Sequence, residues 1–253
     1  MSLVKDIGYR TLDAVTLGRG IRRSIGGEAV RFPAKWSRYY PADYEPETFR
    51  FFREHLKGGE TVLDIGAHIG LFSVVASRLV GPRGKVFSFE PTPFTRGVLE
   101  RVIDVNGCGG NVEIRPEAVS SKCGEAIFFD TGNELSNANS LVRSDLSRGE
   151  LPITLVSIDH FARERGLKID CMKIDVEGAE LDVLLGAPET FAHQRPVARL
   201  GLHPVFVGQN GQTLDDIWRV VADHGYAVTF NGEQVEREWF VDQTDLFDVN
   251  LIP

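Results

Sequence analysis

Strand-like and helix-like segments alternate along the chain from Thr61 onward, and this alternation constrains the fold more than any other feature of the sequence. Short apolar segments such as TVLDI at 61–65 and IDCMKI at 169–174 precede segments whose apolar residues recur at helical spacing. This order is typical of a parallel sheet whose two faces are covered by helices. We therefore predict one doubly wound α/β domain, with a ligand site at the carboxyl ends of its strands.

The other predicted elements continue this alternation, with one interruption. Strands are predicted at 61–65, 85–90, 111–115, 169–174, 197–202, 226–230 and 247–251, and helices at 69–79, 95–105, 179–185 and 214–224. Residues 117–160 break the pattern, because extended segments at 125–130 and 153–157 flank the polar loop GNELSNANS at 132–140. Long polar loops in compact domains are often functional, so we expect this loop to help cover the acceptor.

The beginning of the chain differs from the rest in charge and in pattern. Residues 1–60 hold 11 Lys and Arg against 8 Asp and Glu, whereas the whole chain has a formal charge of −8. Apolar residues between 4 and 15 recur at helical spacing and predict an opening helix, and three prolines between 33 and 46 indicate an irregular stretch. We expect a helical appendage over 1–57, which either packs on the domain edge or forms a lid, and a catalytic domain over 58–253.

The composition excludes several classes of protein. With 28 Lys and Arg against 36 Asp and Glu, the chain lacks the basic surface that nucleic-acid binding requires. Cys108, Cys123 and Cys171 form neither a zinc-binding spacing nor a disulfide framework, which fits a reducing, cytoplasmic setting. No apolar run approaches the ~20 residues of a membrane-spanning helix, and early charges argue against a signal peptide. A homo-oligomer stays open.

The turn after the first predicted strand has the sequence DIGAHIG, from Asp64 to Gly70. A dinucleotide site would place G-x-G-x-x-G here, because its glycines and helix N–H groups cradle pyrophosphate. A strand-end carboxylate would repel pyrophosphate but suits a cationic ligand such as S-adenosylmethionine, which Gly66 would allow close to the backbone. Glu90 ends the next strand, close to the roughly 20-residue spacing at which an acidic residue binds a ribose hydroxyl pair.

A second motif, KIDVEGAE at 173–180, brings three carboxylates to the end of a buried strand. Asp175 and Glu177 are predicted to contact a ligand, whereas Glu180 is interpreted as favouring the first helical turn through the helix dipole. His203 follows the strand at 197–202, and an unperturbed pKa near 6.5 makes it the candidate general base. Asp175 or Glu177 could share or replace that role.

Together these motifs resemble the FkbM-type methyltransferases. The segments that carry the resemblance are DIGAHIGLFS, FSFEP, AVS at 118–120, VSID at 156–159, KIDVEGAE and LGLHP at 200–204. The resemblance covers about residues 44–253 and implies a Rossmann-like class I methyltransferase fold with a mostly parallel, seven-stranded sheet. It also implies S-adenosylmethionine as the cofactor, and methyl transfer to a hydroxyl of a sugar, polyketide or similar bacterial metabolite.

The resemblance implies roles for individual residues as well. Asp175 and Glu177 match the acidic pair on the acceptor side, where His203 is the further catalytic candidate. The implied cofactor-binding residues are Asp64, Gly66, Ala67, His68, Gly70, Glu90, Pro91, Ala118, Val119 and Asp175. Two positions depart from the family pattern, because His68 stands where Asn is usual and Gly201 stands where Glu is common.

Three alternatives stay open. Asp175, Glu177 and His203 could ligate Mg²⁺, which would acidify the acceptor hydroxyl, although magnesium prefers few carboxylates and several waters. A Rossmann-like sheet could instead serve a dinucleotide-dependent oxidoreductase, which the missing G-x-G-x-x-G disfavours. The chain could also be a non-catalytic cofactor-binding homologue, an alternative that Gly201 supports.

Overall fold

The fold is taken from a computed structural model that describes residues 8–9, 11–12, 14–130, 141 and 148–253. Described residues between 8 and 15 are helical. The strands are β1 Ile21–Ile25, β2 Glu28–Phe32, β3 Thr61–Ile65, β4 Lys85–Phe89, β5 Val112–Arg115, β6 Ala118–Val119, β7 Gly124–Asp130, β8 Gly149–Val156, β9 Cys171–Ile174, β10 Val197–Leu202, β11 Ala227–Phe230, β12 Glu233–Gln234 and β13 Phe247–Ile252. The α-helices after the opening residues are α1 Pro46–His55, α2 Leu71–Val80, α3 Pro93–Val105, α4 Ile158–Arg165, α5 Glu180–Leu185, α6 Pro204–Gln209, α7 Leu214–Asp223 and α8 Arg237–Val241.

The central sheet has the strand order β12-β11-β13-β10-β9-β3-β4-β5. Strands β10, β9, β3, β4 and β5 run parallel to one another, whereas β13 runs antiparallel to both β10 and β11. This arrangement confirms the predicted mostly parallel α/β sheet. It has eight strands rather than seven, because the two-residue strand β12 pairs with β11 at one edge.

Helices cover both faces of this sheet. Successive side chains of a buried strand point to opposite faces, so each strand contacts helices on both sides. In β3, Leu63 and Ile65 pack with α4, α5 and α7 on one face, whereas Val62 packs with α1, α2 and α3 on the other. All three side chains are at most 1% exposed. The strand is thus apolar on both sides, as expected in a parallel sheet.

The N-terminal segment contains a hairpin that the sequence interpretation missed. β1 and β2 pair antiparallel, with Ile21 opposite Phe32. The turn is formed by Gly26 and Gly27, whose φ angles of 56° and 86° suit a two-residue hairpin turn. The prediction of an irregular stretch from the prolines is also wrong at Pro46, which begins α1. A helix can begin with proline because the N–H that proline lacks would have no helical partner there.

The same segment shares a core with the sheet. The rings of Phe49 and Phe52 in α1 lie 5.2 and 5.9 Å from the ring of Phe72 in α2. Phe32 of the hairpin belongs to the same buried cluster as Val62 of β3. One continuous core therefore joins the segments predicted at 1–57 and 58–253.

The predicted interruption between β5 and α4 forms a separate three-stranded sheet. β8 lies in its centre, parallel to β6 and antiparallel to β7. Ala118 and Val119 of β6 are buried. In the chain, β6 follows β5 of the central sheet and is the first strand of this smaller sheet. The polar loop at 132–140 lies outside the described residues.

Two composition-based predictions can be compared with the fold. Among the described residues, every helix is too short or too polar to cross a bilayer. Cys108, Cys123 and Cys171 are all free thiols, two of them buried, which agrees with the absence of a disulfide framework.

Candidate active site

A cavity of about 540 Å³ opens at the carboxyl ends of the central parallel strands, where such a sheet is expected to bind its ligand. Every site residue that the sequence predicts lines this cavity, except Gly70. The predicted residues in the lining are Asp64, Gly66, Ala67, His68, Glu90, Pro91, Ala118, Val119, Asp175, Glu177 and His203. The N-terminal segment adds Tyr39, Tyr40 and Tyr44 to one wall.

The turn after β3 requires glycine at Gly66. Its φ is 80°, and a Cβ atom there would lie 1.9 Å from the carbonyl oxygen of Asp175. The Gly66 N–H donates to the Phe89 carbonyl at 3.1 Å, which holds the turn against β4. Gly70 lies behind the cavity, and a Cβ there would lie 2.3 Å from the Leu99 side chain, so Gly70 lets α2 pack on α3.

Asp64 lies one residue before the end of β3 and is 1% exposed. The Ser73 hydroxyl donates to Oδ2 of Asp64 at 2.5 Å, and Ser88 donates to the Ser73 oxygen at 2.8 Å. The other oxygen, Oδ1, is buried and has no hydrogen-bond partner within the described part of the chain. Burial raises the pKa of Asp64, although the charge of Lys173 opposes this shift. A buried oxygen without a donor is unfavourable, so the site fits a ligand that donates to it.

Glu90 follows β4, and each of its carboxylate oxygens accepts a backbone hydrogen bond. The His68 N–H donates to Oε2 at 3.1 Å, and the Thr92 N–H donates to Oε1 at 2.9 Å. Burial raises the pKa of Glu90 to about 7, against the effect of these two donors. The Thr92 side chain also hydrogen-bonds this carboxylate, which still has acceptor capacity for a ligand hydroxyl.

His68 adds a donor to the same cavity. Burial lowers the pKa of His68 to about 4, so its ring is neutral at pH 7. The Tyr40 hydroxyl lies 3.3 Å from Nδ1, and when it donates its proton there the ring proton resides on Nε2. Nε2 is buried and has no partner among the described residues. Together with Oδ1 of Asp64, this atom is complementary to a ligand that carries both a carboxylate and an ammonium.

His203 follows β10 and is 6% exposed. Its Nδ1 lies 2.7 Å from Oε1 of Glu180, a carboxylate with no exposed surface. The Gly178 N–H also donates to this oxygen, at 3.0 Å. Burial alone would lower the pKa of His203, but the hydrogen bond to Glu180 and the charges of Glu177 and Asp175 raise it to about 9. The ring is therefore protonated at pH 7, unlike the unperturbed histidine that the sequence suggests as a base.

Two carboxylates flank the other ring nitrogen. Nε2 of His203 lies 3.2 Å from Oε2 of Glu177 and 3.7 Å from Oδ1 of Asp175. Burial raises the pKa of Glu177 to about 7, with His203 opposing the shift. Burial would also raise the pKa of Asp175, but Lys173, at 2.9 Å, and His203 hold it below its usual range. Glu177 has a φ of 54°, a strained conformation for a non-glycine residue of the kind that clusters at functional sites.

Asp175, Glu177 and His203 also offer a set of donor atoms to a metal, since one atom of each lies within 4.8 Å of the others in the described structure. The chemistry of the set opposes that use. The Lys173 ammonium, 2.9 Å from Oδ2 of Asp175, already neutralises one carboxylate of the set. The Mg²⁺ alternative is therefore not supported.

Several residues in or behind the cavity have contacts that the sequence does not predict. The motif KIDVEGAE contains Glu180, but its position at the start of α5 suggests only a helix-dipole role, and its contact with His203 requires the fold. Tyr40 and Asp248 carry no motif, because each enters the cavity from an element distant in sequence. The aromatic run at 39–44 is the one signal in the sequence that could have indicated a cavity wall.

The sheet order, together with a cavity lined by acidic strand ends, fits a Rossmann-like, S-adenosylmethionine-dependent methyltransferase. The chain belongs to the FkbM methyltransferase family, because the Methyltransferase FkbM domain matches residues 64–228, well over half of the chain. This membership confirms the predicted family, fold class and enzyme class. It leaves the oxidoreductase alternative without support.

Curated relatives include proteins of different size. The chain is similar to the AMB antimetabolite synthetase AmbE of Pseudomonas aeruginosa, with 31% identity over 74% of this chain and 10% of AmbE. It is similar to the Methyltransferase sdnD of Sordaria araneosa, with 30% identity over 53% of this chain and 63% of sdnD. The Hexuronic acid methyltransferase AglP of Haloferax volcanii is 28% identical over 74% of this chain and 77% of AglP. The chain thus spans a tenth of AmbE and less than two thirds of sdnD.

Comparison with solved structures gives matches at low sequence identity. A candidate rRNA-methylase from Clostridium thermocellum has a TM-score of 0.50 and 8% identity, over 81% of this chain and 93% of that protein. A Methyltransferase FkbM from Methylobacillus flagellatus has a TM-score of 0.48 and 15% identity, over 81% of this chain and 51% of that protein. At such identities the likeness concerns the fold alone.

Proposed function

We propose that this protein methylates a hydroxyl oxygen of a small-molecule acceptor, with S-adenosylmethionine as the methyl donor. One cavity with two contrasting ends carries the proposal. At one end, Oδ1 of Asp64 and Nε2 of His68 are buried without partners among the described residues. At the other end, Glu177 and His203 form a charged pair, 3.2 Å apart. This pair supports oxygen as the methylated atom, because an alcohol must lose a proton during the transfer.

The unpartnered groups fit the amino-acid end of S-adenosylmethionine. Oδ1 of Asp64 would accept from its ammonium, and Nε2 of His68 would donate to its carboxylate. Glu90 would accept from the ribose hydroxyl pair, and Ala118 and Val119 would lie beside the adenine, as the family resemblance implies. When bound, the cofactor supplies a methyl group on a positively charged sulfur, which an oxygen nucleophile can attack.

We assign the proton of the acceptor hydroxyl to the Glu177–His203 pair. Glu180 holds Nδ1 of His203 at 2.7 Å, so the ring keeps Nε2 directed at Glu177. Because His203 is protonated at pH 7, it donates to Glu177, and the Glu177 carboxylate takes up the proton. The two groups titrate as a pair, so activity is expected to rise through an apparent pKa between about 7 and about 9.

The remaining sequence predictions have different support. Tyr39, Tyr40 and Tyr44 line the cavity, which supports a role of the 1–57 segment in covering the acceptor. The cytoplasmic location and the absence of nucleic-acid binding rest on composition alone, so they stay predictions, and the oligomeric state stays open.

The proposal is tested by methyl transfer from isotope-labelled S-adenosylmethionine to a panel of hydroxylated small molecules, read by mass spectrometry. We expect one labelled methyl on an acceptor oxygen, and a thermal stabilisation by S-adenosylhomocysteine that NAD(P) does not reproduce. Glu177→Gln is expected to abolish transfer while stabilisation by S-adenosylhomocysteine persists. Methylation of nitrogen instead of oxygen would contradict the proposed acceptor chemistry. Binding of S-adenosylhomocysteine without transfer to any acceptor would favour the non-catalytic alternative.

A further inference from the structure

Asp248 lines the cavity, although neither the cofactor assignment nor the proton path uses it. It lies near the beginning of β13, directly opposite Gly201 of the antiparallel neighbour β10. The sequence motifs do not indicate Asp248, since β13 follows β10 in the sheet but is separated from it in the chain by α6, α7, α8 and two strands.

Gly201 creates the space into which Asp248 projects. A Cβ atom on Gly201 would lie 3.1 Å from Oδ1 of Asp248 and 3.4 Å from Oδ1 of Asp175. Both carboxylates therefore approach the same point, which is open because position 201 has no side chain. Any larger residue at 201 would press on one or both of these oxygens.

The two oxygens of Asp248 have different surroundings. Nη2 of Arg199 donates to Oδ2 at 3.0 Å, and Arg199 itself is only 6% exposed. Arg199 also donates to Oδ1 of Asn250 at 2.9 Å, so the arginine is fixed from two sides. Nothing among the described residues donates to Oδ1 of Asp248. The carboxylate is thus held through one oxygen and presents the other to the cavity.

The position of β13 places this oxygen on the acceptor side. From β3, which carries Asp64, the sheet continues through β9 and β10 to β13. At about 4.8 Å between neighbouring strands, Asp248 lies roughly three strand spacings from the proposed cofactor end. Asp175 and His203, which directly follow β9 and β10, lie between the two. A group bound at Asp248 therefore lies on the opposite side of the reacting centre from the cofactor.

We propose that Asp248 binds a second hydrogen-bond donor of the acceptor, a hydroxyl or ammonium close to the methylated hydroxyl. This inference rests on the proposed function and specifies the acceptor as a molecule that carries at least one such further donor. Glu45 is a further acidic residue of the cavity lining. An acceptor that carries a carboxylate in this position is consequently disfavoured, because like charges repel in a half-buried site.

The test measures acceptor binding in the presence of saturating S-adenosylhomocysteine, by saturation-transfer NMR. The probes are the methyl glycosides of glucose, glucosamine and glucuronic acid. We expect the first two to bind the wild-type protein more tightly than the third. Asp248→Asn is expected to weaken binding of the preferred probe by at least about tenfold, because a hydrogen bond to a charged group is lost. A larger loss for the glucosamine probe identifies an ammonium donor, and an equal loss for both identifies a hydroxyl.

Two further variants keep the test decisive. Gly201→Ala leaves the Arg199 pair intact but crowds Oδ1 of Asp248, so it is expected to weaken the same probes even if Asp248→Asn folds poorly. Asp245→Asn makes the same charge change at an exposed position outside the cavity lining, and we expect no effect.

The outcomes separate this inference from the proposed function. If neither neutral nor amino probe binds the wild-type complex, or if Asp248→Asn and Gly201→Ala bind them as tightly as Asp245→Asn does, the inference is wrong. If the wild-type protein fails to bind S-adenosylhomocysteine, the proposed function itself is wrong. Affinity for S-adenosylhomocysteine is expected to stay within about twofold in all three variants, since Asp248 lies away from the cofactor end.

Discussion

The two ends of the cavity are built in different ways. At the proposed cofactor end, Asp64 is held by the hydroxyl of Ser73, and Glu90 by the N–H groups of His68 and Thr92. At the acceptor end, His203 is surrounded by carboxylates from the turn and helix after β9. Local donors position a group for binding, whereas clustered charges set one another's proton affinity. The first end therefore suits ligand binding, and the second suits proton transfer.

The largest expected effect separates these two ends. His203→Asn keeps a donor near Glu180 but removes the atom that faces Glu177, so we expect kcat to fall by roughly 10²- to 10⁴-fold. Binding of S-adenosylhomocysteine is expected to be unchanged. His193→Asn, on an exposed histidine, is the matched control. A kcat within threefold of the wild type would show that the acceptor end does not move the proton.

The next largest effect is expected on folding stability, when the turn at the cofactor end is substituted at Gly66. Gly66→Ala would place a Cβ atom 1.9 Å from the Asp175 carbonyl oxygen, so we expect a loss of about 3 kcal/mol in the free energy of unfolding. Gly58→Ala is the control, because its φ is also positive, 118°, but nothing lies within 4 Å of its Cβ position. Urea denaturation measures both. Equal losses in the two variants would mean that the close approach of Gly66 to the Asp175 carbonyl oxygen contributes nothing to the destabilisation.

A smaller effect is expected when the charge behind His203 is removed. Glu180→Gln keeps a polar partner at Nδ1 but removes a negative charge, so the pKa of His203 is expected to fall from about 9. The raised pKa stabilises the fold fully below pH 6.5, and this contribution is lost as pH rises through about 9. NMR titration of His203 measures the shift, and kcat/KM is expected to fall about tenfold.

The control for this variant is Glu189→Gln, since Glu189 is exposed and distant from the cavity lining. If the His203 pKa is the same in both variants, Glu180 has only a role in starting α5. A fall in kcat/KM without any change in that pKa would argue against Glu180 as the residue that positions the ring.

The smallest expected effect is a pH dependence at the cofactor end. Burial raises the pKa of Glu90 to about 7, so its acceptor form decreases as pH falls through that value. We expect the affinity for S-adenosylhomocysteine to rise by less than tenfold between pH 6 and pH 8. In Glu90→Gln this dependence is expected to be weaker. An identical pH dependence in both proteins would remove Glu90 from the ribose assignment.

Much of the fold could be predicted because the signals are local. β10 occupies the predicted range 197–202, and β3 the predicted range 61–65. The β1–β2 hairpin was not predicted, although the Gly26–Gly27 pair between two short apolar segments is a hairpin signal. Prolines suggested irregular structure there, but at Pro46 the proline begins a helix instead of preventing one.

The two ends of the cavity also differ in how far the sequence predicts them. The cofactor end is formed by one turn, DIGAHIG, and one strand end, so short sequence motifs are enough to locate it. The acceptor end joins Glu180, His203 and Asp248, which come from α5, β10 and β13, and only the sheet order brings them together. Their charges also change one another's pKa, so the proton state of His203 could not be read from its residue type.

Calorimetric titration of S-adenosylhomocysteine into the wild-type protein, Asp64→Asn and His203→Asn tests the division between a binding end and a proton-transfer end most directly. We predict binding to the wild type, at least about tenfold weaker binding to Asp64→Asn because a charge-assisted hydrogen bond is lost, and unchanged binding to His203→Asn. Unchanged affinity in Asp64→Asn, or an equal loss in both variants, would contradict it.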